Sequence, residues 1–243
     1  MEPYRTDLAH IHDDGFGHLA SGAAEVLITA LQQTGPHSGT VVEVGCGSGI
    51  TARRLTDAGY TVVGFDLSKA LIEIARQRVP EATFHVGSFV GAELPSCVAV
   101  CAIGEVLSYA FDPHNNATAR TALFARIHAA LTEGGLFLFD MAGPDRASGS
   151  PTRTFMEQEN WAVLAETSVD NSVLTRRITT FHRSGDLFRR DRETHRLLLV
   201  PPEQIETELR ANGFDVERID GYGETPLPPG LYGFAARRLP DSV

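Results

Sequence analysis

The sequence has few cysteines, a deficit of basic residues and no long apolar run. Its 3 cysteines among 243 residues include no CxxC pair, which indicates reduced thiols rather than a disulfide framework. Acidic side chains outnumber basic ones by 31 to 21, and the net charge of -10 disfavours a nucleic-acid partner. No segment approaches about eighteen consecutive apolar residues, and residues 1–20 lack the basic flank and apolar run of a signal peptide. We therefore expect a cytoplasmic protein without a membrane partner.

Short β-branched runs alternate with amphipathic stretches from Thr40 onward. Apolar residues make up 42% of the chain and charged ones 21%, an ordinary composition for one globular domain. Cys97 and Cys101 lie in an apolar run and are predicted core residues. The predicted strands cover residues 41–44, 61–65, 82–86, 97–103 and 135–141. Because strands alternating with helices pair in parallel through right-handed crossovers, the pattern predicts an α/β fold with a doubly wound, mainly parallel sheet.

We expect four segments within this single domain. Residues 1–37 form N-terminal cap helices, with apolar residues at helical spacing over 19–33. Residues 38–143 form the cofactor-binding core. After a turn at 144–151, residues up to 200 form an inserted antiparallel β region with a hairpin turn at 184–186. Residues 201–243 form the last helix, which ends at Gly213, and two closing antiparallel strands.

The most informative segment is the glycine-rich turn between the first strand and the next helix. Gly45, Gly47 and Gly49 allow a tight backbone turn and leave no Cβ between the backbone and a ligand. The helix that begins near Ile50 offers free N–H groups to a carboxylate or another polar group. A purely structural bend rarely needs three glycines in five residues. We therefore predict a cofactor site here.

The spacing of these glycines differs from that of a dinucleotide-binding turn, which has glycine at its first, third and sixth positions. Here the sixth position is Ile50 and the fifth is Gly49, and the acidic Glu43 precedes the turn. Asp66 ends the next strand, where a carboxylate can accept both hydroxyls of a ribose. Ser68 is the predicted N-cap of the following helix, which leaves Asp66 for a ligand. A nucleotide-dependent oxidoreductase is one alternative, but no Tyr-x-x-x-Lys pair is recognisable.

The sequence resembles the class I S-adenosylmethionine-dependent methyltransferases, in particular those that act on small molecules. An acidic residue, a GxGxG turn and an acidic strand end match the family pattern, and the resemblance extends over residues 38–143. It implies a seven-stranded Rossmann-like sheet and S-adenosyl-L-methionine as the cofactor. A non-catalytic protein that binds this cofactor is the second alternative. The cofactor residues that the resemblance implies are Phe16, Glu43, Gly45, Cys46, Gly47, Gly49, Asp66, Leu67, Gly87, Ser88, Phe89, Ile103 and Gly104.

Single positions take expected roles within this resemblance. The glycines of the turn would line the methionine part of the cofactor, Asp66 the ribose and Leu67 the adenine face. Family members often have an aspartate after the third strand, and this chain has Ser88 there. Ser88 would then bond through its hydroxyl group or its backbone, and Phe89 would supply apolar cover.

The segment 103–109 follows the fourth strand, which in the family faces the transferable methyl group. It lacks the Asn/Asp-Pro-Pro-aromatic turn of nucleobase amino methyltransferases, so we expect a small-molecule acceptor that is methylated at an N or O atom. In-line transfer from a sulfonium depends mainly on alignment and exclusion of water, and a strong base is optional. Glu105 is the first candidate to accept a proton from the acceptor, and a structural role at a helix start is equally open. The other candidates are Tyr109, His182 and His195.

Residues 8–18 and the insert carry polar side chains whose role the sequence leaves open. His10, His12, Asp13, Asp14 and His18 lack a recognised ligand pattern, so no metal site is predicted. Under the resemblance this segment closes over the cofactor, with Gly15 and Gly17 as hinges and Phe16 as an apolar plug.

The insert at 145–200 is expected to cover the acceptor pocket or to build a dimer interface, so a monomer and a homodimer are both open. Four arginines on its predicted strands could bind an acidic acceptor. Acidic residues are interleaved with them, which favours a solvated strand face. These arginines are Arg189, Arg190, Arg192 and Arg196.

Overall fold

A computed structural model describes residues 3–34, 36–147 and 151–240. The helices are α1 (Thr6–Gly15), α2 (His18–Thr34), α3 (Ile50–Asp57), α4 (Lys69–Arg78), α5 (Ala117–Ala130) and α6 (Pro202–Ala211). The first five strands are β1 (Thr40–Val44), β2 (Thr61–Asp66), β3 (Thr83–Val86), β4 (Cys97–Ala102) and β5 (Leu131–Ala142). The next four are β6 (Thr152–Gln158), β7 (Trp161–Asp170), β8 (Val173–Ser184) and β9 (Leu187–Leu198). The last four are β10 (Phe214–Ile219), β11 (Gly221–Tyr222), β12 (Thr225–Pro226) and β13 (Leu231–Arg238).

Seven strands form a central sheet in the order β10-β13-β5-β4-β1-β2-β3. The strands β1 to β5 pair in parallel with one another, and β13 runs antiparallel between β5 and β10. The expected α/β fold, with a doubly wound, mainly parallel sheet and an antiparallel finish, is confirmed. Because parallel strands all end at one edge of the sheet, the turns after β1, β2 and β4 lie side by side.

Helices cover both faces of this sheet because its central strands carry apolar side chains on both sides. Every residue of β4 is buried. On one face Phe124 of α5 packs with Phe137 of β5. On the other face α2 packs through residues such as Leu27. Cys97 and Cys101 are each 2% exposed, which confirms them as core residues.

A second sheet, formed by the antiparallel strands β6-β7-β8-β9, follows β5. Ser184 pairs with Leu187, which puts the hairpin turn where the sequence predicts it. The strand β6 was not singled out by the sequence pattern, because all its residues are exposed and it has no apolar face. Leu8 of α1 packs against Trp161 and Ile178 of the second sheet.

Of the predicted turn at 144–151, residues 148–150 lie outside the described part, and Pro144–Ala147 forms a short 3-10 helix. A second 3-10 helix, Val106–Ser108, follows β4. Within the described ranges, no helix combines the length and the apolar character of a membrane span.

Candidate active site

The turn after β1 has the conformation that its glycines permit. Gly45, Gly47 and Gly49 have φ angles of +71°, +54° and +77°, in the left-handed region. A Cβ on Gly45 would lie 2.5 Å from the side chain of Val106, and one on Gly49 would lie 3.1 Å from Ala75. These two glycines therefore allow close packing. A Cβ on Gly47 would meet nothing within 4 Å, so the backbone there faces open space that a ligand can approach.

Asp66, at the end of β2, is hydrogen-bonded to this turn. Its Oδ2 accepts from the N–H of Gly47 at 2.9 Å, and its Oδ1 accepts from the N–H of Ser68 at 2.8 Å. Burial raises the pKa of Asp66, and the two N–H donors oppose that shift. The hydroxyl of Ser68 accepts from the N–H of Leu71, which confirms Ser68 as the N-cap of α4. The Asp66 carboxylate thus lies beside the open face of the turn.

Glu43 lies beneath the turn rather than against the open space. It is 3% exposed, and its Oε1 accepts a long hydrogen bond from the thiol of Cys101 at 3.9 Å. Burial raises the pKa of Glu43 to about 8, although hydrogen bonds from Thr51 and Cys101 oppose the shift. At neutral pH we therefore expect a protonated side chain that supports the turn from inside the core.

A cavity of about 590 Å³ extends from the glycine turn to the second sheet. Such a volume is typical of a site for small molecules. The second sheet contributes Val163 and Ile178, among others. The predicted cofactor residues that line the cavity are Phe16, Gly45, Gly47, Asp66, Leu67, Gly87, Phe89, Ile103 and Gly104. The predicted cofactor residues outside its lining are Glu43, Cys46, Gly49 and Ser88.

The chain turns sharply after β4, at Gly104 and Glu105. Their φ angles are +92° and +65°, and the second is strained because Glu105 is not a glycine. The carboxylate of Asp140, at the end of β5, accepts from the N–H groups of Gly104 and Glu105 at 2.8 and 2.5 Å, and from the hydroxyl of Tyr222 at 2.8 Å. Burial raises the pKa of Asp140 to about 6, against those three donors. Sequence reasoning missed this residue, although it lies in the predicted strand 135–141.

Two arginines from other segments bind the carboxylate of Glu105. Arg146 donates through Nε to Oε1 at 2.5 Å, and Arg176 donates through Nη1 and Nη2 to Oε2 at 3.2 and 3.1 Å. Burial by itself would raise the pKa of Glu105, but Arg176 and Arg146 outweigh it and lower the pKa. A carboxylate stabilised in its charged form is a weak proton acceptor. Neither arginine was predicted to belong to the site.

A family model described as "Methyltransferase domain" matches residues 41–135. The putative methyltransferase YqeM of Bacillus subtilis (strain 168) is 26% identical over 203 residues, which cover 76% of each chain. A crystal structure of an S-adenosylmethionine-dependent methyltransferase from Clostridium acetobutylicum ATCC 824 superposes with a TM-score of 0.82 at 15% identity, over 96% of this chain and 98% of that one. The structure of CalS10 with bound S-adenosylmethionine, an amino pentose methyltransferase from Micromonospora echinaspora, superposes with a TM-score of 0.75 at 19% identity. The superposition covers 94% of this chain and 95% of that one.

The chain therefore carries a methyltransferase domain over residues 41–135 and has the fold of S-adenosylmethionine-dependent methyltransferases. The enzyme's cofactor is therefore a sulfonium nucleoside with a ribose and an amino acid end. The residues present fit such a molecule, because the open backbone at Gly47 lies next to a strand-end carboxylate, Asp66.

Tyr109 and His195, two other candidates to accept a proton, are neighbours. Tyr109 lies at the cavity wall, and His195 lies deeper in the protein. Tyr109 lines the cavity, and its hydroxyl lies 2.8 Å from that of Tyr4. His195 is 1% exposed and lies behind these rings, with its Nε2 3.0 Å from Oε2 of Glu193. The same carboxylate accepts from the backbone N–H groups of Tyr4 and Arg5. His195 therefore supports the N-terminal segment and does not line the cavity.

His182 lies on the side of the second sheet that packs against α1. Its Nδ1 is 3.4 Å from Oδ1 of Asp7, and Arg189 forms an ion pair with the same carboxylate. The structure brings neither His182 nor His195 together with Glu105. Arg190, Arg192 and Arg196 share one exposed face of β9, as predicted for a solvated strand face. Arg189 is exposed as well, but it lies on the opposite face and pairs with Asp7.

The helix α1 connects the second sheet with the core of the methyltransferase. Asp14 accepts from Nε1 of Trp161 at 2.7 Å, and Asp13 accepts from Nη1 of Arg78 at 2.8 Å. His12, between these contacts and the cavity, has an Nδ1 without a hydrogen-bond partner, and burial lowers its pKa to about 4. The sequence analysis left the role of these residues open, because their partners are far away along the chain.

The junction between α1 and α2 is tightly packed. A Cβ on Gly15 would lie 2.8 Å from the ring of Trp161, and one on Gly17 would lie 2.6 Å from Ile50. Both glycines thus allow close approach, whether or not they also act as the predicted hinges. Phe16, between them, lines the cavity. In the described part of the chain, no group of three His, Cys, Asp or Glu side chains is placed to hold a metal ion.

Proposed function

We propose that this methyltransferase transfers a methyl group to an amine nitrogen of a small molecule, and that amino sugars are its acceptor class. The observation that carries the proposal is the continuous cavity, which gives the glycine turn and the inner face of the second sheet a common space. The likeness to CalS10 supports the acceptor class, because the shared fold covers 94% of this chain and so includes most of the second sheet.

Each wall of the cavity has a role in this proposal. The backbone of Gly45 and Gly47 lies against the methionine part of S-adenosylmethionine. Asp66 accepts hydrogen bonds from the ribose hydroxyls, and Leu67 and Phe89 cover the adenine ring. The strands β6, β7 and β8 close the acceptor side, so the inserted β region serves as a roof.

The charges near the turn after β4 favour an amine as the methylated group. Two arginines hold Glu105 in its charged form, and the pKa of His12 is lowered to about 4 by burial. Both side chains are therefore weak proton acceptors. A hydroxyl group needs help to lose its proton before it becomes a good nucleophile, whereas a neutral amine already has an available lone pair.

The protein contributes alignment and exclusion of water. When bound, S-adenosylmethionine supplies a methyl group that moves to the nitrogen lone pair as the carbon–sulfur bond breaks and its electron pair stays on sulfur. Asp140 holds the turn at Gly104 and Glu105 in place next to the reacting groups. The apolar side chains of Phe16, Val163 and Ile178 keep water away from them. The methylated nitrogen then loses its proton to solvent.

Labelled-methyl transfer to matched pairs of acceptors tests the proposal. Each pair consists of an amino sugar and the same sugar with a hydroxyl group in place of the amine. We expect label in the amine member alone, and none with the Asp66→Ala variant. Label in hydroxyl compounds and in no amine would overturn the acceptor class. Failure of the folded wild-type protein to bind S-adenosylhomocysteine in calorimetry would overturn the cofactor site.

A further inference from the structure

The acceptor side of the cavity contains more positive than negative charge. Arg146 and Arg176 both form their ion pairs with the one carboxylate of Glu105. Their side chains are 22% and 19% exposed, so water screens them poorly. Glu105 neutralises one of the two guanidinium groups, and one positive charge is left over. This excess stands out in a protein whose net charge is -10.

The described cavity wall has two other carboxylates, Asp66 and Asp112, and neither pairs with these arginines. Asp112 accepts from the backbone N–H of His114 and lies 3.0 Å from its Nδ1. Asp140 is occupied by the N–H groups of Gly104 and Glu105 and by the hydroxyl of Tyr222. Asp66 is at the end of β2, which is separated from β5 by β1 and β4 in the sheet order. The charged groups that influence the pKa of Arg176 most include Glu105 as their single carboxylate.

Arg176 also stands out on the inner face of the second sheet. It lies on β8 between Leu174 and Ile178, and all three line the cavity. Among the described residues of β6, β7 and β8 in the cavity wall, Arg176 has the single charged side chain. A buried guanidinium in an otherwise uncharged surface is costly unless it is paired with an anion. Arg176 shares its carboxylate partner, Glu105, with Arg146, so the charge that is left over is available to an anionic ligand.

We propose that Arg146 and Arg176 bind an anionic group of the acceptor, a phosphate or a carboxylate. The guanidinium groups present several N–H donors in a planar fork, which matches the oxygens of such anions. The cofactor's own carboxylate is the less suitable occupant. Arg146 follows β5, so it lies beyond the strands β1 and β2 that carry the cofactor turn and Asp66. The acceptor is then an amine with an acidic substituent, which rests on the proposed function.

Calorimetric titration of the protein saturated with S-adenosylhomocysteine tests this subsite. The probes are inorganic phosphate, inorganic pyrophosphate and succinate, which separate phosphate from carboxylate recognition. We expect saturable binding of at least one probe to the wild-type protein. The Arg176→Gln and Arg146→Gln variants should each bind it about tenfold more weakly, because a charge-assisted hydrogen bond is lost.

Three further variants distinguish anion binding from a purely structural role of the ion pairs that Arg146 and Arg176 form with Glu105. Arg177→Gln is the matched control, since Arg177 is the exposed neighbour of Arg176 on β8. It should leave anion affinity unchanged, and Arg176→Lys should retain part of it. Glu105→Gln removes the competing carboxylate, so anion affinity should rise about tenfold. If these ion pairs only stabilise the fold, Glu105→Gln should give no gain in anion affinity.

The outcomes are separable. Absence of saturation with all three probes in the wild-type protein overturns the subsite, and this result needs no variant to fold. Equal affinities in the wild type and in both glutamine variants of Arg146 and Arg176 overturn it as well. If anions bind at these arginines but no amine is methylated, the proposed function fails and the subsite stands. If amines with and without an acidic group are methylated at the same KM and no anion binds, the subsite fails alone.

Discussion

The two ends of the cavity, which we propose to hold the cofactor and the acceptor, are built by different means. At the cofactor end, the glycine turn and Asp66 lie within residues 45–66, and their geometry depends on local backbone conformation and on the ends of two neighbouring strands. At the acceptor end, Glu105 meets Arg146 and Arg176, which are 41 and 71 positions away in the chain. Changes at the first end should therefore act on cofactor affinity, and changes at the second should act on stability or on acceptor binding.

The largest expected effect is on stability beneath the cofactor end, in the Glu43→Gln variant. The pKa of Glu43 rises from an ordinary value of 4.5 to about 8 on burial. Below pH 4.5 the side chain is protonated in both the folded and the unfolded state, so wild type and variant should be equally stable. Between pH 4.5 and 8 the wild type loses stability as pH rises, because the unfolded state releases its proton first. Above pH 8 the variant should be more stable by roughly 3–5 kcal/mol.

Urea unfolding at pH 4 and pH 9 measures this difference, with Glu73→Gln as the control on the exposed face of α4. A stability difference between wild type and the Glu43 variant that does not change with pH would contradict the expected titration.

Asp66→Ala should cause the largest loss of cofactor affinity. The change removes the oxygen that accepts from the N–H of Gly47, together with the carboxylate that we propose as the acceptor for the ribose hydroxyls. Two charge-assisted hydrogen bonds account for about a hundredfold increase in the Kd of S-adenosylhomocysteine, measured by calorimetry. Asp57→Ala is the control, because Asp57 is exposed and pairs with Arg53 on α3. An unchanged Kd in the Asp66 variant would show that Asp66 does not contribute to cofactor binding.

Gly47→Ala should weaken cofactor binding by about tenfold, because the new methyl group occupies the open space that the ligand approaches. Gly59→Ala is a matched control. Gly59 also has a positive φ and would place a Cβ with no atom within 4 Å, but it lies after α3, away from the cavity. Both variants should lose about 1–2 kcal/mol of stability from backbone strain. Equal Kd values for S-adenosylhomocysteine in the two variants would show that the space at Gly47 is not used by the cofactor.

The smallest effect is expected where α1 joins the second sheet. Asp14→Ala removes the acceptor for the indole N–H of Trp161, and the free energy of unfolding should fall by about 1 kcal/mol. Asp14→Asn keeps an acceptor, so its free energy of unfolding should fall by less. Affinity for S-adenosylhomocysteine should stay within about threefold of wild type in both. If the binding free energy of S-adenosylhomocysteine falls by more than the free energy of unfolding, the contact between Asp14 and Trp161 also affects the cofactor end, contrary to this expectation.

Strand runs and the glycine turn were predictable because their determinants are local. Gly45, Gly47 and Gly49 permit the left-handed backbone that this turn adopts, and a polar residue such as Ser68 caps a helix through its own neighbours. The helix α1 offered no such signal. Its Asp13 and Asp14 are paired with side chains from other segments, which a linear pattern cannot show.

The acceptor end shows the limit of a linear pattern most clearly. Arg176 and Arg177 are adjacent and chemically identical, yet one lines the cavity and the other is exposed. A strand alternates its side chains between two faces, so the pairing register of β8 decides which arginine faces inward. The role of Glu105 depends in the same way on arginines that the chain brings back from β8 and from the turn after β5.

By itself, the sequence determined the mainly parallel sheet and the location of the glycine turn, since glycine conformations and strand-end carboxylates act over a few residues. Only the tertiary structure decided that Asp140, Arg146 and Arg176 surround Glu105, because those contacts arise from strand register and from the packing of one sheet against another. Short-range backbone preferences can be read along the chain, whereas a charge cluster exists only once distant segments meet.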